Sequence, residues 1–200
     1  MKMTTEEAFV KVLQMHGIEH AFGIIGSAMM PISDLFPKAG ITFWDVADEK
    51  NGGYMADGYT RVTGKMSMAI AQNGPGVTGF VTAVKTAYWN HTPMLLVTPQ
   101  AANRTIGQGG FQEVEQMALF RDMVCYQEEV RDPHRMAEVL NRVISKANGC
   151  QRPLRSTCRA ITGPKWSISR CRPSSISNVR QVALMRSRMQ QNYCQMQNSQ

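Results

Sequence analysis

Acidic side chains stop at Glu138. Residues 148–200 hold nine Lys+Arg and no Asp or Glu, whereas residues 1–147 hold 13 basic and 15 acidic side chains. The formal net charge of +7 therefore resides in the last quarter of the chain. Before residue 148 there is one cysteine, Cys125. A lone thiol excludes a disulfide framework and fits a reducing cytoplasm. No apolar run is long enough to span a membrane. The start, Met1-Lys2-Met3-Thr4, lacks the apolar stretch of a secretory signal. A cytoplasmic location and no membrane partner are expected.

Other absences narrow the chemistry. His16, His20, His91 and His134 have no carboxylate or thiol at ligand spacing, so no metal site is expected. No serine stands in a G-x-S-x-G elbow. Gly74-Pro75-Gly76-Val77-Thr78-Gly79 matches G-x-G-x-x-G, but no Asp or Glu occurs between Asp57 and Glu113. A dinucleotide site wants an acid about 20 residues after its glycines, and Pro75 removes one backbone donor from the phosphate cradle. The residues alone read as a tight turn.

The basic tail could be a nucleic-acid arm, but its arginines are scattered rather than clustered, and no nucleic-acid partner is expected. Cys150, Cys158, Cys171 and Cys194 match no zinc spacing. A third reading is a shifted reading frame. With suitable synonymous codons, moving the codon boundaries through Thr157–Trp166 gives Met-Pro-Arg-Asp-Tyr-Trp-Thr, and the shifted text further on can regain acids and turn signals. A frame shift near residues 146–150 is expected, with residues 148–200 a disordered tail after a domain over residues 1–147.

Within those 147 residues, short apolar strands alternate with helices. Strands are expected at 21–25, 41–47, 66–71, 94–98 and 125–130. Helices are expected from Thr4 or Thr5 to Gly17 and over 29–35, from Glu49, and over 77–88, 114–123 and 133–147. Asp132 is expected to cap the last of these, with Pro133 at its first position. Residues 99–112 read as a long loop. This alternation demands an α/β fold, a parallel sheet covered by helices on both faces. Met3, Met29, Met30, Met55, Met66 and Met68 read as core filler.

Glu49 opens a helix directly after a strand, at the rim where open α/β sheets bind ligands. By itself it also suits a helix first turn electrostatically. Gly52, Gly53 and Ala56 after it would let something large lie close to the backbone. Gly107-Gln108-Gly109-Gly110-Phe111-Gln112-Glu113 is either a flexible surface loop or a binding loop carrying Phe111 beside an amide.

Three segments taken together carry a resemblance: the helix from Glu49 ending in Ala56-Asp57-Gly58-Tyr59-Thr60-Arg61-Val62-Thr63-Gly64, the turn Asn73-Gly74-Pro75-Gly76, and Phe111-Gln112-Glu113. In order and spacing they resemble the pyrimidine-binding domain of thiamine diphosphate enzymes, the acetolactate synthase and pyruvate oxidase group, over residues 3–147. Within that group, the runs Gln72–Pro93 and Gly107–Val130 look most like the members that take sulfoacetaldehyde and phosphate. The shifted-frame text resembles the continuation of the same members.

The resemblance implies a flavodoxin-like fold and thiamine diphosphate as cofactor. Glu49 would hydrogen-bond the ring nitrogen of its aminopyrimidine. Asn73, Pro75 and Gly76 would lie on the cofactor side, and Gly26, Ser27, Phe111 and Gln112 on the substrate side. Asp48 stands where the group usually has histidine, which puts proton handling beside the substrate in question. Mg²⁺ would be held by a Gly-Asp-Gly motif and a later Asn in a separate domain; that motif does not occur here. The group forms homo-oligomers with the site between subunits, so the chain would supply half a site and little or no turnover alone. A fragment of another thiamine diphosphate enzyme such as acetolactate synthase, or a non-catalytic module docking on full-length subunits, stays open.

Overall fold

The structure, a computed structural model, describes residues 3–102, 105–150 and 154–159. Helices α1 (Thr5–Met15), α2 (Met30–Ser33), α3 (Glu49–Thr63), α4 (Pro75–Gly79), α5 (Val81–Trp89), α6 (Gln116–Leu119) and α7 (Met136–Cys150) alternate with strands β1 (His20–Gly23), β2 (Thr42–Asp45), β3 (Ser67–Ile70), β4 (Met94–Gln100), β5 (Tyr126–Val130) and β6 (Leu154–Arg159). All paired strands are parallel, in the order β2-β1-β3-β4-β6-β5. The order reverses at β1, with β2 on one side and β3 on the other. Clefts beyond the carboxyl ends of strands at such a switch point are where open α/β sheets take ligands.

Strand periodicity divides the core into two faces. Met68 and Ile70 of β3, with Leu95 and Val97 of β4, pack with Phe9 and Leu13 of α1 and Leu140 and Ile144 of α7. Their neighbours Ala69, Met94 and Leu96 point the other way, onto Ala56, Phe80, Val84 and Phe120. Each fully buried aliphatic or aromatic side chain contributes roughly 1.5–3 kcal/mol by leaving water. Unbroken apolar runs in β3 and β4 are thus what a sheet covered on both faces requires.

Local signals act as the sequence indicates at several ends. Thr4 Oγ1 accepts from the Glu7 N–H and Glu7 Oε2 accepts from the Thr4 N–H, a reciprocal cap on α1. Gly17 follows that helix with φ +67°. Asp48 Oδ1 accepts from the Lys50 N–H at 2.8 Å and starts α3. Asp132 accepts from the His134 N–H and opens a single 3-10 turn that leads into α7.

Other expectations are corrected. The helix expected over 77–88 is two pieces, α4 and α5, broken at Phe80. The helix expected over 114–123 shrinks to Gln116–Leu119. Gly52 and Gly53 make room for the protein's own packing. A Cβ on Gly52 would lie 3.0 Å from Gly23 Cα, and one on Gly53 only 2.5 Å from Ala83 Cβ. Met29 and Met68 are core residues, but Met30 and Met55 are exposed.

The expected boundary at residue 147 falls inside α7, and Leu154–Arg159, assigned to the tail, pairs with β4 on one side and β5 on the other. The residues Arg155, Ser156 and Arg159 lack the apolar run typical of a strand with neighbours on both sides, which is why periodicity misses it. The tail expectation for residues 151–153 and 160–200 lies outside the described residues. Among the described residues, no helix is long and apolar enough to cross a membrane.

Candidate active site

Three loops meet at the carboxyl end of the sheet. The first leaves β1 through Gly26 and Ser27; the second leaves β3 through Gln72–Pro75; the third is the 105–114 loop after β4. Glu49, the first residue of α3 after β2, faces the second of them.

Glu49 is half-buried. Its side chain lies against the start of α4. A Cβ on Gly76 would stand 2.9 Å from Glu49 Oε1, and one on Gly79 would stand 3.2 Å from Glu49 Cβ. A side chain at Gly76 would displace the carboxylate, and one at Gly79 would press on it. Pro75, exposed at the first position of α4, begins that helix without spending a backbone N–H.

Gly74 (φ +72°) turns the chain and lets the third loop close down: a Cβ there would come within 2.7 Å of Gln112 Cβ. Asn73, 5% exposed, sits beneath this contact. Its Nδ2 donates to the carbonyls of Phe111 and Gln112, both at 3.2 Å. Gln112 is held at φ +56°, an unusual conformation for a residue with a side chain. Phe111 projects into solvent, 82% exposed. Glu113 shapes the loop from within, accepting from the N–H groups of Gly107 and Gly110. Buried Gln100 and Gln116 anchor the loop's base, donating to the carbonyls of Val114 and Pro99.

The structure therefore brings Glu49 to Gly76, and Asn73 to Phe111 and Gln112. Gly26 packs on the Gln72 side chain, while Ser27 is exposed at the outer edge. Sequence reasoning assigned no role to Gln72, Gly79 or Glu113. A polar residue immediately after an apolar strand was the available signal for Gln72. Among the described residues, no group of three or more His, Cys, Asp or Glu could hold a metal ion. The histidines have other partners: His16 Nε2 bonds Asn141 Oδ1, and His20 Nδ1 accepts from Trp44 Nε1.

A family model described as the thiamine pyrophosphate enzyme N-terminal TPP binding domain matches residues 3–119. The chain belongs to this family. Over 153 residues it is 83% identical to a sulfoacetaldehyde acetyltransferase of Roseovarius nubinhibens, covering 76% of this chain and 25% of that protein. An acetolactate synthase of Arthrospira platensis is 32% identical over 143 residues, 70% of this chain and 25% of the relative. Among solved structures, a thiamine diphosphate-dependent 4-hydroxybenzoylformate decarboxylase of Rhodococcus jostii RHA1 superposes with a TM-score of 0.74 at 22% identity, over 79% of this chain and 30% of that one. That likeness supports the fold. The chain spans about a quarter of the length of the curated relatives it matches.

The residues present fit one end of thiamine diphosphate. A carboxylate set against the glycines at positions 76 and 79 suits a flat nitrogen heterocycle. The diphosphate end needs a metal, and the described residues offer no cluster to bind one.

Proposed function

We propose that this chain is the pyrimidine-binding part of a sulfoacetaldehyde acetyltransferase, which converts sulfoacetaldehyde and phosphate into acetyl phosphate and sulfite in the cytoplasm. The observation that carries this reading is the 83% identity over 153 residues to a protein of that name, together with Glu49 held against Gly76 and Gly79. At 32% identity the acetolactate synthase reading is weaker.

Glu49 would accept a hydrogen bond from, or share a proton with, a ring nitrogen of the aminopyrimidine. When bound, thiamine diphosphate supplies the nucleophilic thiazolium carbon on which this chemistry depends. The chain's own contribution is orientation and proton handling. Pro75 and Gly76 floor the cradle, and Asn73 fixes the loop above it. Phe111 and Gln112, with Gly26 and Ser27, border the side open to substrate. Mg²⁺ and the diphosphate would be held by a further domain, and the complete site would form in a homo-oligomer. Alone, the 200-residue chain is expected to turn over little or no substrate.

The test is a chimera in which residues 3–147 replace the corresponding segment of the Roseovarius nubinhibens relative. Given sulfoacetaldehyde, phosphate, thiamine diphosphate and Mg²⁺, it should release sulfite and acetyl phosphate in equal amounts. Formation of acetolactate from pyruvate, without sulfite release, would overturn the assignment.

A further inference from the structure

Side-chain amides link the three rim loops in a directed chain. The Ala28 N–H donates to Gln72 Oε1 at 3.2 Å. Gln72 Nε2 donates to Asn73 Oδ1 at 2.7 Å and, more weakly, to Gln112 Oε1 at 3.4 Å. Asn73 Nδ2 then donates to the Phe111 and Gln112 carbonyls. Both ends of this chain are backbone groups of fixed polarity, a donor at Ala28 and acceptors at 111 and 112. An amide has one donating and one accepting end. The fixed ends therefore permit only one orientation of each side-chain amide in between. If Gln72 turned over, its NH₂ would face the Ala28 N–H; if Asn73 turned over, its oxygen would face two carbonyl oxygens.

Packing enforces the same arrangement. A Cβ on Gly26 would lie 2.2 Å from Gln72 Oε1, so the first loop rests directly on this side chain. Gln112 stays in a left-handed conformation that residues with a side chain seldom adopt, and the Asn73 bonds hold it there. From these contacts we infer that Gln72 is a positioning residue for the substrate side of the site. By setting the sense of the Asn73 amide it determines where Phe111 and Gln112 stand relative to Gly26 and Ser27. The functional half of this inference rests on the reading above; the amide relay itself does not.

Two substitutions separate orientation from mere filling. Gln72→Met keeps the volume and removes all three of these bonds. In Gln72→Glu at neutral pH, the carboxylate still accepts from the Ala28 N–H but has nothing to donate to Asn73. On the full 200-residue chain, amide hydrogen exchange is followed at Ala28 and at the loop amides of Gly107, Gly110 and Glu113. In Gln72→Met, protection should fall about tenfold at Ala28 and in the loop. In Gln72→Glu at pH 7, Ala28 should stay within twofold of wild type while the loop loses about tenfold. Below pH 5, the introduced carboxyl gains a proton it can donate, and loop protection should return. The carboxyls of Glu49 and Glu113 border the same rim, so each profile is read as the difference from wild type and Gln72→Met at the same pH. Loop protection unchanged in both variants, or lost in Gln72→Glu without acid recovery, would overturn the relay.

The functional half is read in the chimera described above. Gln72→Glu at pH 7 should raise KM for the aldehyde about tenfold and leave kcat within threefold, with KM recovering in acid. An intact relay with an unchanged KM would overturn the positioning role while leaving the assignment of the reaction intact.

Discussion

Glu49 and Gly76 are in contact across the rim of the sheet, close enough that a single methyl on Gly76 would fall 2.9 Å from Glu49 Oε1. The carboxylate of one strand–helix junction is thus shaped by the absence of a side chain at the next. Gly76→Ala should destabilise the domain by about 1–3 kcal/mol through overpacking, read by urea unfolding. It should also displace Glu49 and abolish any thiamine binding. Binding retained at wild-type strength would mean the cradle is not where the cofactor ring lies.

Two glycines of α3 should respond with opposite signs. Gly53→Ala drives a methyl to 2.5 Å from Ala83 Cβ, where α3 and α5 touch. It should cost about 1–3 kcal/mol or more. Gly58→Ala meets nothing within 4 Å and lies mid-helix. It should stabilise by about 0.5–1 kcal/mol through helix propensity. Thermal melts of the two variants check the pair, and equal shifts would refute the packing assigned to α3.

A buried polar contact joins α3 to β3 beside their apolar packing. Ser67, 0% exposed, donates to the Ala56 carbonyl at 2.8 Å and lies 2.8 Å from Thr60 Oγ1. Ser67→Ala leaves Thr60 Oγ1 and the carbonyl short of a partner, at a cost of roughly 1–3 kcal/mol. Denaturant unfolding measures it.

A surface ion network predicts an acid limb. Arg142 bonds Glu128 and Glu138, and Arg135 also bonds Glu138. The Arg135 and Arg142 guanidiniums lower the Glu138 carboxyl to about 2. Glu128 is likewise held below its ordinary value, chiefly by Arg142. A depressed carboxyl stabilises the fold above its unfolded value, roughly 4.3, and that stabilisation is lost as pH falls toward about 2. Glu138 is 38% exposed, so solvent screening keeps the contribution within about 1 kcal/mol. Arg142→Met should flatten the fall in stability between pH 4.5 and 2. An unchanged acid limb would show that the network adds nothing.

The architecture is legible where periodicity is strong. Ser67–Ile70 and Met94–Gln100 show as strands because both faces of the sheet are covered, and Thr4 and Asp48 announce their helices by capping chemistry. Leu154–Arg159 is illegible because its place is dictated by the neighbours β4 and β5 rather than by its own residues. In the candidate site, Glu49, Gly76, Phe111 and Gln112 are visible as a motif set. The amide relay through Gln72 is not, because hydrogen bonds at sequence separations of 38–44 leave no local pattern. Gly52 and Gly53 look like ligand-facing glycines in sequence, yet pack against Gly23 and Ala83.

The central claim, that Glu49 and the glycine start of α4 form the pyrimidine end of a cofactor site, is tested most directly by titrating thiamine into the ¹⁵N-labelled 200-residue chain and its Glu49→Gln variant. The account predicts saturable amide shifts confined to residues around Glu49, Gly76, Gly79 and Gln112, at least tenfold weaker in the variant. Shifts of equal strength in both proteins, or shifts centred elsewhere on the domain, would contradict it.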